Sequence, residues 1–267
     1  MSRVSLSDEL STLRSIRQKN RKNHSKTNSV AVVMASRRPD DLGNALTYLR
    51  DQTLPTFELY LGLHGFNLNT SLKSEITKLR NRKIKVFVHH FDATKTLGEI
   101  LTALAQETTS RYISKMDDDD IYGSEHLHDL LDCIIAHESE VVGKAMNYIY
   151  LEPLDLTVRR ANSSGVSAFE LFSDWVCGGT MMVERSAGEK AGWFGSGKSA
   201  VDTFLLQNVS KNGGKIWRTF GTGYIYRRRQ SDHTYGTNFA KYLNGSSEQW
   251  VGIPQIEEFG LHRSEEH

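Results

Sequence analysis

The sequence predicts an α/β fold: a mainly parallel sheet flanked by helices, with a smaller antiparallel portion. Three observations lead there. From residue 29 onward, apolar runs of strand length alternate with segments of helical period, the pattern of βαβ units. The first run, Val30–Met34, is apolar without alternation, as a strand covered on both faces must be. With 267 residues, 38% of them hydrophobic, the chain can build one large core.

Residues 1–28 stand apart as a basic arm or helix. They carry seven Lys and Arg against Asp8 and Glu9. Ser7 is placed to cap a helix whose Leu6, Leu10 and Leu13 share one face. That face suits either docking on the chain's own domain or contact with a partner or an anionic membrane surface. Residues 29–247 are the expected main domain. After Val30–Met34, Pro39-Asp40-Asp41 opens a helix with Leu42, Ala45, Leu46 and Leu49 on one side. Phe57–Leu63 and Ile84–Val88 read as the second and third strands, with a helix over 69–80 between them. Thr96–Glu107 is a third helix, and Tyr112–Met116 a fourth strand that runs into four aspartates. Ser124–His137 then reads as a helix and Glu140–Tyr150 as one strand. Beyond it the rhythm loosens. Residues 152–165 have the pattern of a hairpin or loop insertion, and paired glycines at 178–179 and 213–214 mark turns. From Glu248 the composition turns acidic, five Glu against Arg263, so 248–267 is expected to be a tail.

Composition excludes several classes. A net charge of +1 offers no general attraction to nucleic acid. Cys133 and Cys177 lie outside any CxxC pair, which argues against a zinc site or a disulfide framework and for a reducing compartment. No apolar run approaches the roughly 20 residues of a membrane span. The polar N-terminus lacks the apolar core of a secretory signal. The expected location is cytoplasmic, or peripheral at the inner face of the membrane through residues 1–28.

The sharpest feature is Lys115-Met116-Asp117-Asp118-Asp119-Asp120. Adjacent carboxylates repel one another, so such a run is costly unless a positive charge neutralises it. It also follows a predicted parallel strand, the edge where open α/β sheets bind ligands. Oxygen donors of this kind suit a hard cation, Mg²⁺ or Mn²⁺. Two blander uses compete. An acidic turn favours the N-terminus of the helix that follows. A calcium loop is partly mimicked from Asp118 to Asp129, but Tyr122 takes a ligand position and no helix precedes.

Three stretches together resemble family 2 glycosyltransferases of the GT-A fold. The first is Val32-Val33-Met34-Ala35-Ser36-Arg37-Arg38-Pro39-Asp40-Asp41-Leu42, similar to that family's opening strand and turn. The second runs from Ala45-Leu46 through Gln52-Thr53 and Pro55 to Phe57-Glu58-Leu59. The third, Tyr112-Ile113 to Met116-Asp117-Asp118-Asp119-Asp120, is similar to a Tyr-Ile-x-x-Leu-Asp-x-Asp-Asp segment. The resemblance covers about residues 29–130 well and 175–235 more loosely. It implies a Rossmann-like GT-A sheet with the antiparallel portion on the acceptor side.

The same resemblance implies an inverting transfer from a nucleotide diphosphate-sugar to a hydroxyl acceptor, with a cell-envelope or capsular glycan as a common acceptor. It implies a divalent metal held by Asp119 and His233, and a donor bound by Ala35, Ser36, Arg37, His64, Asp117, Asp118 and Arg229. It implies Asp202 as general base, in Val201-Asp202 where the family usually has Glu-Asp. An N-cap role for Asp202 is the simpler alternative. Leu63-His64-Gly65 departs from the family at the end of the second strand, where many members place an Asp against the nucleobase, and Ser36 departs where an aromatic is usual. A sugar-1-phosphate nucleotidyltransferase is the first rival, weakened because Ala35-Ser36-Arg37-Arg38-Pro39 contains no glycine. A non-catalytic metal or carbohydrate-binding module is the second.

Overall fold

A computed structural model describes residues 5–21, 28–162, 164–229 and 239–254. The βα rhythm becomes an eight-stranded sheet. Its parallel half is ordered β3 (Lys85–Phe91), β2 (Glu58–His64), β1 (Val30–Ser36), β4 (Tyr112–Lys115). β10 (Met182–Glu184) joins β4 antiparallel. Then come β6 (Val141–Lys144), β11 (Ile216–Thr219) parallel to it, and the short edge β9 (Leu171–Phe172).

Both faces of this sheet are covered, which is why β1 carries no polar alternation. Val30, Val32 and Met34 face α2 (Pro39–Arg50), α3 (Thr70–Asn81) and α5 (His126–Ala136). Ala31 and Val33 face α4 (Leu97–Glu107), α6 (Arg185–Ala191) and α7 (Val201–Lys211). Local signals set the helix starts. Pro39 takes the first turn of α2, Asn69 caps α3, and Thr96 with Glu99 forms a capping box on α4.

A second sheet lies beside the first, ordered β13 (Glu248–Val251), β8 (Leu156–Arg159), β7 (Tyr148–Leu151), β12 (Tyr224–Arg228), β5 (Ile121–Tyr122). All its neighbours are antiparallel except β7 and β12. The mainly parallel sheet with a smaller, mostly antiparallel one is the architecture expected.

Three local expectations are corrected. Glu140–Tyr150 is two strands, because β6 belongs to the first sheet and β7 to the second. The chain turns between them at Asn147, whose amide donates to the carbonyls of Arg160 at 2.7 Å and Ser167 at 2.8 Å. Residues 248–251, expected in a tail, form the edge strand β13 on β8. The helix α1 (Leu6–Asn20) is capped by Ser5 rather than Ser7, its side chain accepting from the Asp8 amide.

The expected stripe on α1 docks inward. Leu13 is buried, and so is Glu9, which accepts from Arg159 at 2.6 Å and Tyr148 at 3.1 Å and also from Thr222. Arg17 forks onto Asp129 of α5 with two bonds of 2.7 Å. No described helix is long and apolar enough to cross a membrane.

Candidate active site

The site follows from strand order. β1 lies between β2 and β4, and the helix after β1 (α2) lies on the opposite face from the helix before β4 (α4). Connections that diverge in this way open a crevice at the C-terminal ends of the two strands. A cleft of about 770 Å³ occupies that place. The turn after β1 forms one wall. The aspartates after β4 form its floor, and residues 198–202 before and within α7 close the opposite side.

All four aspartates line the cleft, each held differently. Asp118 accepts from Ser36 Oγ at 2.6 Å and is paired with Arg38, which also reaches Asp119 at 3.0 Å. Asp120 accepts from Tyr224 Oη at 2.6 Å and from the Arg227 amide at 3.0 Å. Asp117 pairs with Lys115 at 2.7 Å, and its amide donates to Tyr122 Oη at 2.8 Å. Tyr122 in turn donates to the Gly179 carbonyl at 2.9 Å, tying the loop to the turn at 178–180.

These contacts do not cancel the crowd of charge. Burial pushes the Asp118 carboxyl up to about 7, even against the Arg38 guanidinium. Burial and then Asp117 raise Asp119, while burial, Asp119 and Asp117 raise Asp120 further. An apo site with several carboxylates above their ordinary range is short of positive charge.

Asp202 enters from the far side, as the second residue of α7. It is not the N-cap, which is Ala200, so the simpler explanation for this carboxylate does not hold. Its Oδ1 lies 3.1 Å from Lys115 Nζ, and its side chain remains 31% exposed. Burial raises its pKa, with Lys115 opposing. Two glycines make room for this. A Cβ on Gly178 would fall 2.0 Å from Asp202 Oδ2. A Cβ on Gly179 would fall 2.9 Å from Asp120 Oδ2 and 3.0 Å from Asp117 Oδ2. Turn glycines with no sequence motif of their own are here required by close approach.

The remaining sequence candidates separate. Ala35, Ser36, Arg37 and His64 all line the cleft. His64 Nε2 lies 3.1 Å from the Ala93 carbonyl. A carbonyl only accepts, so Nε2 is the donor in this contact. Arg229 is engaged elsewhere, forked onto Asp41 and bonded to Glu152 at 3.1 Å, and is not part of the cleft lining. His233 lies outside the described residues.

Four cleft residues were missed or undervalued. Arg38, not only Arg37, matters: Ser36 at the end of β1 and Arg38 before α2 both reach Asp118. Arg228 lines the cleft beside Tyr226 with 9% of its surface exposed. Its guanidinium lies over the Tyr226 ring and donates to Tyr226 Oη at 2.8 Å, and its buried Nε meets no acceptor among the described residues. Lys115 joins Asp117 to Asp202. Lys198 stands exposed at the rim. All four needed the fold to be placed.

No three His, Cys, Asp or Glu side chains among the described residues form a metal-holding group by themselves. The chemistry of the donors nevertheless fits a hard cation that keeps most of its positions for phosphate oxygens. Asp119 offers a carboxylate at the cleft with 18% of its side chain exposed, and among the described residues its ion-pair partner is the Arg38 guanidinium.

No sequence-family model matches the chain, and no curated protein matches it. Solved structures do. The structure of S. aureus TarS 1-349 aligns with TM-score 0.59 and 16% identity over 74% of this chain and 60% of that one. The same protein in complex with UDP-GlcNAc aligns with TM-score 0.59 and 18% identity, covering 77% and 60%. Its complex with UDP gives 0.58 and 17%, covering 76% and 61%. This chain therefore spans about three-fifths of the length of those relatives. At such identities the likeness is one of fold, and the fold is that of the GT-A-like glycosyltransferases.

Proposed function

We propose that this chain is an inverting glycosyltransferase that moves a sugar from a nucleotide diphosphate-sugar to a hydroxyl acceptor. One observation carries the reading. Where β1 and β4 part, a single cleft holds a floor of carboxylates on the strand side and a separate, partly exposed carboxylate, Asp202, on the helix side. A transferase of this kind needs both, one to meet the leaving diphosphate and one to take the acceptor proton. The neighbours' complexes with UDP-GlcNAc and UDP support a nucleotide-sugar donor.

Each residue takes a role its chemistry allows. Asp119 would hold Mg²⁺ or Mn²⁺, which supplies Lewis acidity to the leaving diphosphate when bound. Asp117 has 35% of its side chain exposed and would accept from hydroxyls of the ribose or the donor sugar. Asp118 and Asp120, with their fixed internal partners, shape the loop. Arg228 would face the diphosphate, because it lines the cleft and no carboxylate among the described residues pairs with its guanidinium. His64 Nδ1 would accept from a base with a ring N–H on its pairing edge, as uracil has at N3, where cytosine has an acceptor. Asp202 would deprotonate the acceptor hydroxyl as that oxygen attacks the anomeric carbon from the face opposite the diphosphate.

The test pairs transfer with binding. UDP-GlcNAc serves as the first donor, with turnover followed by UDP release in the presence of Mn²⁺. Asp202→Asn should lower turnover by about 10²–10⁴-fold while UDP binding survives. Calorimetric titration with UDP should show binding that strengthens with Mn²⁺ and weakens on Asp119→Asn. Full turnover in Asp202→Asn would remove the base assignment. Failure of every nucleoside diphosphate to bind would remove the transferase reading itself.

A further inference from the structure

Lys115 is the last residue of β4, and alternation puts it on the same side as Ile113, the face on which α7 packs. Its side chain is 2% exposed. A buried ammonium has three protons to satisfy, and three acceptors surround this one. Asp117 Oδ1 lies at 2.7 Å, the Gly178 carbonyl at 3.3 Å and Asp202 Oδ1 at 3.1 Å. They come from the acidic loop, the glycine turn and α7, three segments that are remote from one another in sequence.

From the side of Asp202 the dependence is stronger. Among the described residues, Lys115 is the only cation within ion-pair distance of its carboxylate. The N-terminus of α7 gives no local anchor, since Ala200 sits at φ 56° with no side-chain cap. Gly178 leaves the carboxylate its place, since a Cβ there would fall 2.0 Å from Asp202 Oδ2. Charged groups facing Asp202 are Lys115 from β4 and Asp117 from the loop, with the neutral Cys177 thiol from the turn. Burial would discharge Lys115, but Asp117 and Asp202 outweigh it and hold the ammonium charged.

We propose that Lys115 is the positioning residue of the transfer step: its buried ammonium fixes the Asp202 carboxylate toward the acceptor and couples it to Asp117 on the donor side. The proposal rests on the transferase reading with Asp202 as base. Lys115 touches no reacting atom. It keeps the base ionised and aimed, and without it two carboxylates would face each other across the cleft.

The experiment is a double-variant cycle in the full chain, made with Lys115→Met, Asp202→Asn and the pair, with Lys115→Arg as the charge-keeping control. Lys115→Met should lower kcat by about 10–100-fold with donor KM changed less than about threefold, and Lys115→Arg should recover part of the loss. The acid limb of the pH–rate profile should move to higher pH by about 1–3 units in Lys115→Met. In the Asp202→Asn background, Lys115→Met should cost no further turnover. Additive losses with an unmoved acid limb would overturn the proposal, because a residue that only supports the fold behaves that way. Loss of UDP binding in Lys115→Met would also overturn it, by making Lys115 a donor ligand.

A second readout needs no transfer. In protein labelled with ¹³C at the aspartate carboxyls, the resonance that disappears in Asp202→Asn should titrate at higher pH in Lys115→Met. Lys115→Arg should keep it near the wild-type position, and serves if the methionine variant does not fold. An unchanged titration refutes the pairing even if the enzyme proves active, whereas an absent UDP site with a normal titration sinks the transferase reading alone.

Discussion

Replacing Asp118 by Asn should stabilise the unliganded protein at pH 8 and do so less than half as much at about pH 5. The side chain is 5% exposed, and its carboxyl titrates at about 7 against an ordinary 3.8. The sign follows from which state holds the proton. The folded protein binds it more tightly than the unfolded chain, so this group favours folding below about pH 4. That advantage fades as pH rises toward 7 and is absent above it. A gap of roughly three units at 1.36 kcal/mol each sets an upper bound of about 4 kcal/mol. Neighbouring aspartates share the same shortage of charge, so about 2–4 kcal/mol is the working range. Asparagine keeps the shape and cannot ionise. It should raise Tm at pH 8 by about 5–12 °C and by less than half of that at about pH 5, where the native carboxyl keeps its proton but the unfolded chain's carboxyl is already ionised. Scanning calorimetry of both proteins from about pH 5 to 8 tests this. Curves that stay parallel would show that the cluster is not charge-strained, and the argument for a waiting cation would lose its physical basis.

Gly178→Ala should abolish turnover while the fold persists, because its Cβ would meet Asp202 Oδ2 at 2.0 Å and drive the base aside. Circular dichroism with a UDP-release assay separates the two effects. Arg228→Ala should weaken UDP binding by about 10–100-fold with a small change in Tm, the loss of one charge-assisted contact. Arg229→Ala should do the reverse, since its guanidinium is committed to Asp41 and Glu152; calorimetry and thermal melts on the same samples distinguish them. Glu9→Gln puts an amide N–H against the buried Arg159 guanidinium, which keeps its 2.8 Å contact with Glu248. A loss of about 2–4 kcal/mol is expected in urea unfolding, and a loss below about 0.5 kcal/mol would show that the Glu9–Arg159 pair does not help hold α1.

Much of this protein is legible along the chain because its signals are short in range. A strand covered on both faces writes itself as Val30–Met34, and a helix laid on a sheet writes itself as Leu42, Ala45, Leu46 and Leu49. Those periods need only neighbours within a turn or two. The acidic run after β4 was visible for the same reason, and with it the edge of the sheet where a ligand site would form.

What residue order left open is which distant charges meet. Arg229 and Arg228 are adjacent, yet one is bound to Asp41 and the other faces the cleft, because β12 presents successive side chains to opposite sides. The single predicted strand at 140–150 divides because its two halves pair with different sheets. Lys115 finds Asp202 only after β4 and α7 are packed on a common face, and Glu9 finds Arg159 only after α1 docks on the second sheet. Periodicity decides which residues turn inward. The order of strands, set by burying both faces of one sheet, decides which of them are close enough for a charge to act.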